Sequence, residues 1–273
     1  MSANLKLLEQ KAREIRATIG EATYRAKKGH VGSAMSTVEI LTALYFHTMN
    51  VSPSEPNMPE RDKFVLSKGH ACSALYSALT VKGFFDKQYL IDNYTKNGSE
   101  FTGHINSFGV PGVEVSTGSL GHGLPFGMGF AYAAKLDSRK NRSFILMSDG
   151  ECDEGSNWEA FLSAPHYKLG NLVAIIDHNK IQSYGTVEEV IPLGPLAKKL
   201  EAFNWEVKEV DGHSLEQLTQ ALDSFSYYGE QPHCIIAHTV KGKGVPTMEN
   251  TLASHYWPLR DEEYAALMES CRR

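Results

Sequence analysis

Two short apolar runs end in residues suited to hold a hard cation. Ser143-Phe-Ile-Leu-Met-Ser-Asp-Gly150 closes on Asp149-Gly150, and Leu172-Val-Ala-Ile-Ile-Asp-His-Asn179 closes on Asp177-His178-Asn179. If the two runs are neighbouring strands, Asp149 and Asn179 converge on one point. A carboxylate plus an amide oxygen is hard-oxygen ligation, suited to Mg²⁺ or Ca²⁺ rather than zinc. Mg²⁺ completes such a shell with water and substrate phosphates, so the sparse set implies a phosphate-bearing partner. Asp-Gly and Asn are also ordinary turn formers at strand ends, and on chemistry alone the two readings stand about level.

Histidine placement is the second feature. Of 11 histidines, His30, His70, His104, His122 and His213 directly follow glycine. A Gly-His step puts an imidazole on a bare, tightly turning backbone, which suits a loop approaching a ligand. His30, His70 and His104 fall in loops or helix starts of the first half, whereas His213 reads as a turn residue without a role. His47, His166, His233 and His238 read as packing or surface residues, and no His/His or His/Cys spacing supports zinc. A third feature, Ser116-Thr-Gly-Ser-Leu-Gly-His-Gly123, stands at a helix entrance, where its glycines would expose backbone amides to an anion. It does not match G-x-G-x-x-G, and no apolar strand leads into it, so a dinucleotide enzyme has little support.

The elements that must position these residues alternate. Apolar spacing predicts helices over 4–28 and from Ser36 (as the cap of a Ser36-Thr-Val-Glu39 capping box) to about Met49. Further helices are expected over 71–82, 86–96 (capped by Asp86), 121–136, 156–168, 195–203, 214–225 and 261–271 (capped by Asp261). Strands are expected near 64, 145, 174, 208 and 237, and residues 97–118 read as a long loop. Short apolar strands alternating with helices indicate an α/β, doubly wound, mainly parallel sheet with helices on both faces. The expected organisation is one domain over 1–273, with a helical segment of about 1–60 packed on it.

Composition narrows the class. The 273 residues are 42% hydrophobic and 22% charged, with net charge −5 and a pI near 6.1. That balance argues against nucleic-acid coating, and no basic amphipathic membrane helix or spanning apolar run is evident. The four cysteines are scattered and the first residues carry no signal peptide, so a cytoplasmic location is expected.

The same residues carry a family resemblance. Asp149-Gly150 followed 30 residues after Asp149 by Asn179 resembles the thiamine-diphosphate motif, with Ser148 in place of its first glycine. Lys28-Gly-His-Val-Gly-Ser33, Ser67-Lys-Gly-His70, Gly112-Val-Glu114, Thr117-Gly-Ser-Leu-Gly121 and Asp149-Gly-x-x-x-Glu-Gly155 resemble transketolase in order and spacing. Trp158-Glu-Ala160, Asp211-Gly-His213, Lys241-Gly-Lys-Gly244 and Ser254-His255 continue the match over nearly the whole chain. The resemblance implies that Asp149, Asn179 and the Ile181 carbonyl hold Mg²⁺, which Ca²⁺ or Mn²⁺ can replace, against the diphosphate. It implies His70 and the Gly150 backbone at the diphosphate, and Gly118, Ser119 and Leu120 against the thiamine rings. His30, His104 and His255 would face the sugar, His255 also near the diphosphate, and Glu154 would join an acidic network linking two cofactor sites. Val31 stands where the family has proline and His122 where glutamine is common, so His122 receives no role.

The implied reaction moves a two-carbon ketol unit from a ketose to an aldose, with imidazoles as proton shuttles along the sugar. In this family the glutamate that activates the cofactor lies in the following pyrimidine-binding domain, which this sequence lacks. The chain is therefore expected to be the N-terminal subunit of a split transketolase in the pentose phosphate pathway, inactive until joined by a C-terminal subunit, as α2β2. The residues gripping the sugar's terminal phosphate are expected largely on that partner, and neither donor nor acceptor is legible here: phosphate sugars, branched sugars and sulfosugars all remain open. The competing readings are the α subunit of a 2-oxo acid dehydrogenase and a non-catalytic, partner-binding remnant.

Overall fold

Continuous apolar runs become buried strands because both faces of the sheet are covered. The computed structural model describes residues 2–272; Met1 and Arg273, the ends of the expected 1–273 unit, lie outside the described residues. In chain order, α1 (Ser2–Ala26), α2 (Val31–Met35) and α3 (Val38–Ala43) precede β1 (Lys63–Leu66). Helices α4 (Cys72–Lys82), α5 (Lys87–Asn93) and α6 (Gly123–Leu136) lead to β2 (Ser143–Ser148), and α7 (Gly155–His166) leads to β3 (Leu172–His178). Then come α8 (Val187–Val190), α9 (Leu196–Ala202), β4 (Glu206–Asp211), α10 (Leu215–Asp223), β5 (His233–His238) and α11 (Asp261–Ser270).

The spatial order is β1-β2-β3-β5-β4, and each neighbouring pair is parallel. Ser143 lies opposite Leu172 and Ser148 opposite Asp177. The two runs that end in Asp149 and Asn179 are therefore neighbours, the condition their convergence required. Alternate side chains divide between two cores. Phe144, Leu146, Val173, Ile175 and Ile235 pack with residues of α1, α3, α4 and α10. Ile145, Met147, Ala174, Ile176 and Ile236 pack with α6, α7 and α9, where Phe161 and Trp205 meet edge to face.

Three local expectations change. Ser36 does not cap a helix: its hydroxyl donates to the Asp177 carboxylate at 2.7 Å, and α2 already occupies the stretch before it. Glu39 does not close a capping box either, because Arg16 at 2.8 Å and His213 at 2.9 Å hold its carboxylate. Long-range ionic partners in a buried setting outcompete the local cap. The expected 36–49 helix is split into α3 and a wider turn at Leu44–Thr48, closed by Met49 N–H donating to the Leu44 carbonyl. Asp261 lies in the first turn of α11, and Arg260 takes the cap position. Asp86 and Ser214 do cap, accepting from the Tyr89 and Gln217 amides. Residues 97–118 are free of helix and strand, as expected. Among the described residues, no helix is long and apolar enough to cross a membrane.

Helix α6 approaches β2 so closely that a Cβ on Gly127 would lie 2.3 Å from both Cγ1 and Cδ1 of Ile145, while one on Gly129 meets nothing within 4 Å. Gly127→Val should cost about 1–3 kcal/mol by overpacking, whereas Gly129→Ala should gain up to about 1 kcal/mol from helix propensity. Urea denaturation of the isolated chain checks both, and equal effects at the two sites would contradict this packing.

Candidate active site

At the carboxyl ends of the strands, where ligands gather in open α/β sheets, lies a cavity of about 530 Å³. Its wall takes Lys68 and His70 from beyond β1, Asp149, Gly150 and Glu154 from beyond β2, and Asn179 and Ile181 from beyond β3. Lys241 enters after β5, and His30, His104, Gly118, Leu120 and His255 come from the surrounding loops. Of the residues expected at the site, only Ser119 stays outside this wall, and it is exposed.

Asp149 and Asn179 meet as their strand ends predict. Asp149 accepts from the Gly150 amide at 2.7 Å and from the Lys180 amide at 2.5 Å, which clips the two loops together. The His178 ring nitrogen sits 3.3 Å from the same carboxylate. Beneath them is Asp177, fully buried, whose carboxylate accepts from Lys68, from Ser36, from Thr239 and from the Asn179 amide nitrogen at 3.1 Å. Burial alone would raise the Asp177 pKa, but the Lys68 ammonium and the hydroxyl donors outweigh it and hold the carboxyl below its usual range. Because Asp177 takes the nitrogen of Asn179, the amide oxygen is left as the ligand-capable atom, and it also accepts from the Ile181 amide at 3.2 Å. The Ile181 carbonyl accepts from Lys241 at 2.7 Å.

These donors fit a hard divalent cation. All are oxygens, each retains a lone pair beyond its present bond, and one carboxylate leaves positive charge for an anion to neutralise. A buried carboxylate oxygen of Asp153, also in the cavity wall, lacks a hydrogen-bond partner among the described residues. Such an orphan fits a hydrated ion nearby.

Four imidazoles line the same cavity. The His30 ring lies 5.1 Å from His255, 5.5 Å from His70 and 5.7 Å from His104, centre to centre. The loops are tied by the His30 amide donating to the His255 carbonyl at 2.9 Å. A Cβ on Gly29 would lie 2.1 Å from the Tyr256 carbonyl oxygen, which explains glycine before His30 by close approach. Burial pushes His70 well below the usual imidazole range, with Lys68 adding to it. Burial and then Lys241 take His255 down to about 3, and burial, then His104, lowers His30. Burial first, and Lys68 second, bring Lys241 down to about 8. Lys241 lies 3.1 Å from Nδ1 of His255, so an ammonium at that position has this ring nitrogen as its acceptor.

The glycine-bearing loop is anchored by a residue the sequence reading passed over. Glu151, fully buried, accepts from the Gly121 amide at 2.9 Å and from the Ser67 hydroxyl, while Ser67 accepts from the Gly123 amide at 3.1 Å. Burial raises the Glu151 pKa. Lys68, Asp177 and Lys241 were likewise given no role from sequence. Their signal was a charged residue inside or beside an apolar strand, visible only as an oddity until its partner is known. His213 is not a plain turn residue: besides its bond to Glu39, it accepts from the Val240 amide at 2.8 Å and so ties α3 to the strand end that carries Lys241. His233 packs flat on Phe225, as a packing histidine should.

Residues 8–271 match the family profile described as transketolase, thiamine diphosphate binding domain. The chain belongs to the transketolase family. It is 43% identical over 260 residues to an apulose-4-phosphate transketolase subunit from Phocaeicola vulgatus, covering 95% of this chain and 92% of that relative. With 6-deoxy-6-sulfo-D-fructose transketolase subunit SqwG of Clostridium sp. it shares 39% over 259 residues, covering 95% and 94%. The transketolase structure from Campylobacter jejuni superposes with a TM-score of 0.91 at 30% identity. That match covers 98% of this chain but 43% of the other, so the chain spans about two-fifths of the longer transketolase. The two relatives named first, which match this chain in length, are transketolase subunits, and the chain is of that class. This decides for transketolase against the 2-oxo acid dehydrogenase reading.

Two outcomes follow from the buried charges. Asp177→Asn strands the Lys68 ammonium and should cost about 3–5 kcal/mol, with Lys68→Met recovering part of the loss in the double variant; additive losses in a denaturation cycle would refute the pairing. The depressed imidazoles bind protons in the unfolded chain below about pH 6.5 and resist them in the folded one. Since the unfolded state then holds more protons, stability should fall as pH drops from 7 toward 5. An NMR titration showing His70 and His255 protonating at or above 6.5 would contradict it.

Proposed function

We propose that this chain is the thiamine-diphosphate- and Mg²⁺-binding subunit of a ketol-transferring transketolase, acting with a C-terminal subunit that supplies the rest of the site. The presence of Asp149, Asn179 and Ile181 with four imidazoles in the wall of one cavity carries this reading. The assembly we infer is α2β2, its place is cytoplasmic carbohydrate metabolism of the pentose-phosphate kind, and residues 1–273 act as one binding unit.

When bound, thiamine diphosphate would supply the electron sink for breaking the bond beside a ketose carbonyl. Asp149, Asn179 and Ile181 would hold the cation, with Ca²⁺ or Mn²⁺ as substitutes, and His70 and the Gly150 amide would hold diphosphate oxygens. Gly118, Ser119 and Leu120 would lie along the cofactor. His30, His104 and His255 would orient sugar hydroxyls and move their protons; His255 would also reach toward the diphosphate. Neutral imidazoles accept a proton without first losing one, and they do not repel a phosphorylated or sulfonated sugar as carboxylates would. Exposed Glu154, at the cavity rim, would meet the acidic group of a second site across the assembly.

Asp149→Ala should abolish cation-dependent binding of thiamine diphosphate, read by calorimetry, with the far-ultraviolet dichroism retained; unchanged affinity would sink the metal assignment. His104→Ala in the two-subunit complex should lower kcat by roughly 10²-fold or more, in the range of proton-transfer groups, with little change in cofactor affinity. The chain alone, given cofactor and Mg²⁺, should not turn over ketose; if it does, the requirement for a partner is wrong.

A further inference from the structure

Lys241 is buried in the cavity wall without a carboxylate partner among the described residues. It donates to the Ile181 and Gln182 carbonyls and lies beside Nδ1 of His255. An ammonium so placed gains by swinging toward water or a carboxylate unless its backbone is held. The chain that follows is a weak restraint by itself, since Gly242 and Gly244 stand at φ 83° and 91°, a region that glycine enters freely. The restraint comes from outside the cavity. His213 accepts from the Val240 amide at 2.8 Å through Nε2, so its proton sits on Nδ1, which donates to Glu39 at 2.9 Å. Arg16 donates through Nη2 to the other Glu39 oxygen at 2.8 Å and through Nε to the Lys243 carbonyl at 3.3 Å. One buried carboxylate on α3 thus grips the backbone on either side of Lys241, through an arginine of α1 and a histidine from the turn after β4. Burial opposes charge on Glu39, but Arg16 and His213 outweigh it and hold its carboxyl below the usual range.

We propose that Arg16, Glu39 and His213 are positioning residues for Lys241: they clamp the backbone on both sides of it, so that its ammonium stays against the Ile181 carbonyl and His255 when the anionic cofactor binds. This rests on the ketol-transfer reading and deepens it, because none of the three lines the cavity, yet together they set its affinity for a diphosphate. The clamp depends on a charged Glu39. A glutamine there must turn its N–H toward Arg16 or toward the proton of His213, and either choice releases one of the two grips. Apolar residues of similar size at all three positions release both grips and leave no buried charge unpaired, a replacement that is often neutral or stabilising for the fold. Positioning and stability can therefore be separated.

The test uses the two-subunit complex, with thiamine diphosphate and Mg²⁺ titrated by calorimetry and the Val240 amide followed by hydrogen exchange. In the Arg16→Met/Glu39→Met/His213→Phe variant, the urea midpoint should stay near that of the wild type. Val240 exchange should accelerate, and cofactor affinity should weaken about tenfold, the effect of one misplaced hydrogen bond to a charged group. Glu39→Gln should show the same two changes to a smaller extent, and it decides the matter if the triple variant does not fold. A folded variant that exposes the Val240 amide yet binds the cofactor as the wild type does overturns the proposal, because Lys241 then holds its place unaided. So does a cofactor affinity that falls only in step with the urea midpoint across the two variants, which is what a purely structural cluster gives. A wild-type complex that binds no thiamine diphosphate overturns the ketol-transfer reading and the clamp's role in binding with it, while a protected Val240 amide would still report that the clamp forms.

Discussion

A fully buried carboxylate at the end of the central strand governs much of this structure. Asp177 can remain charged away from water only because Lys68, Ser36, Thr239 and Asn179 all donate to it. Those donors come from four separate stretches: the turn after β1, the link between α2 and α3, the end of β5 and the end of β3 itself. Removing an ion from water costs several kcal/mol unless its partners are complete, so the loops cannot drift apart without exposing that cost. The geometry of the cavity follows. The Asn179 oxygen is left free for a ligand because its nitrogen is committed, and Lys68 and Lys241 line the same cavity.

Charge in the cavity is graded rather than uniform. Lys68 is neutralised by Asp177, while Lys241 is held by the Ile181 and Gln182 carbonyls and by an imidazole. His30, His70 and His255 resist protonation because burial and these cations both oppose it. The result is a site able to attract phosphate oxygens while leaving neutral bases along the path a sugar would take. Glu151 does the mechanical counterpart on the other side, holding the Gly121–Gly123 backbone by hydrogen bonds from a residue two places beyond Asp149.

Much of this was legible before any coordinates. The strand at 143–148 was recognisable because burial on both faces demands an unbroken apolar run, and the Asp149–Asn179 pairing needed only that β2 and β3 be neighbours. Less legible was anything decided by a distant partner. Ser36 and Glu39 have the spacing of a capping box, but each finds a stronger buried partner more than 20 residues away or on another element. His213 reads as a turn residue until α3 is packed against it.

The sequence by itself determined the alternation of strands and helices, the family, and the residues that meet at the strand ends. Those follow from periodicity and short spacings, which act over a few residues and survive in one dimension. Tertiary structure alone decided which charges are neutralised, which nitrogen of His255 faces Lys241, and that Asn179 offers its oxygen rather than its nitrogen. Each depends on groups far apart in the chain being brought within about 3 Å in a medium of low dielectric, where a single missing partner changes the charge state.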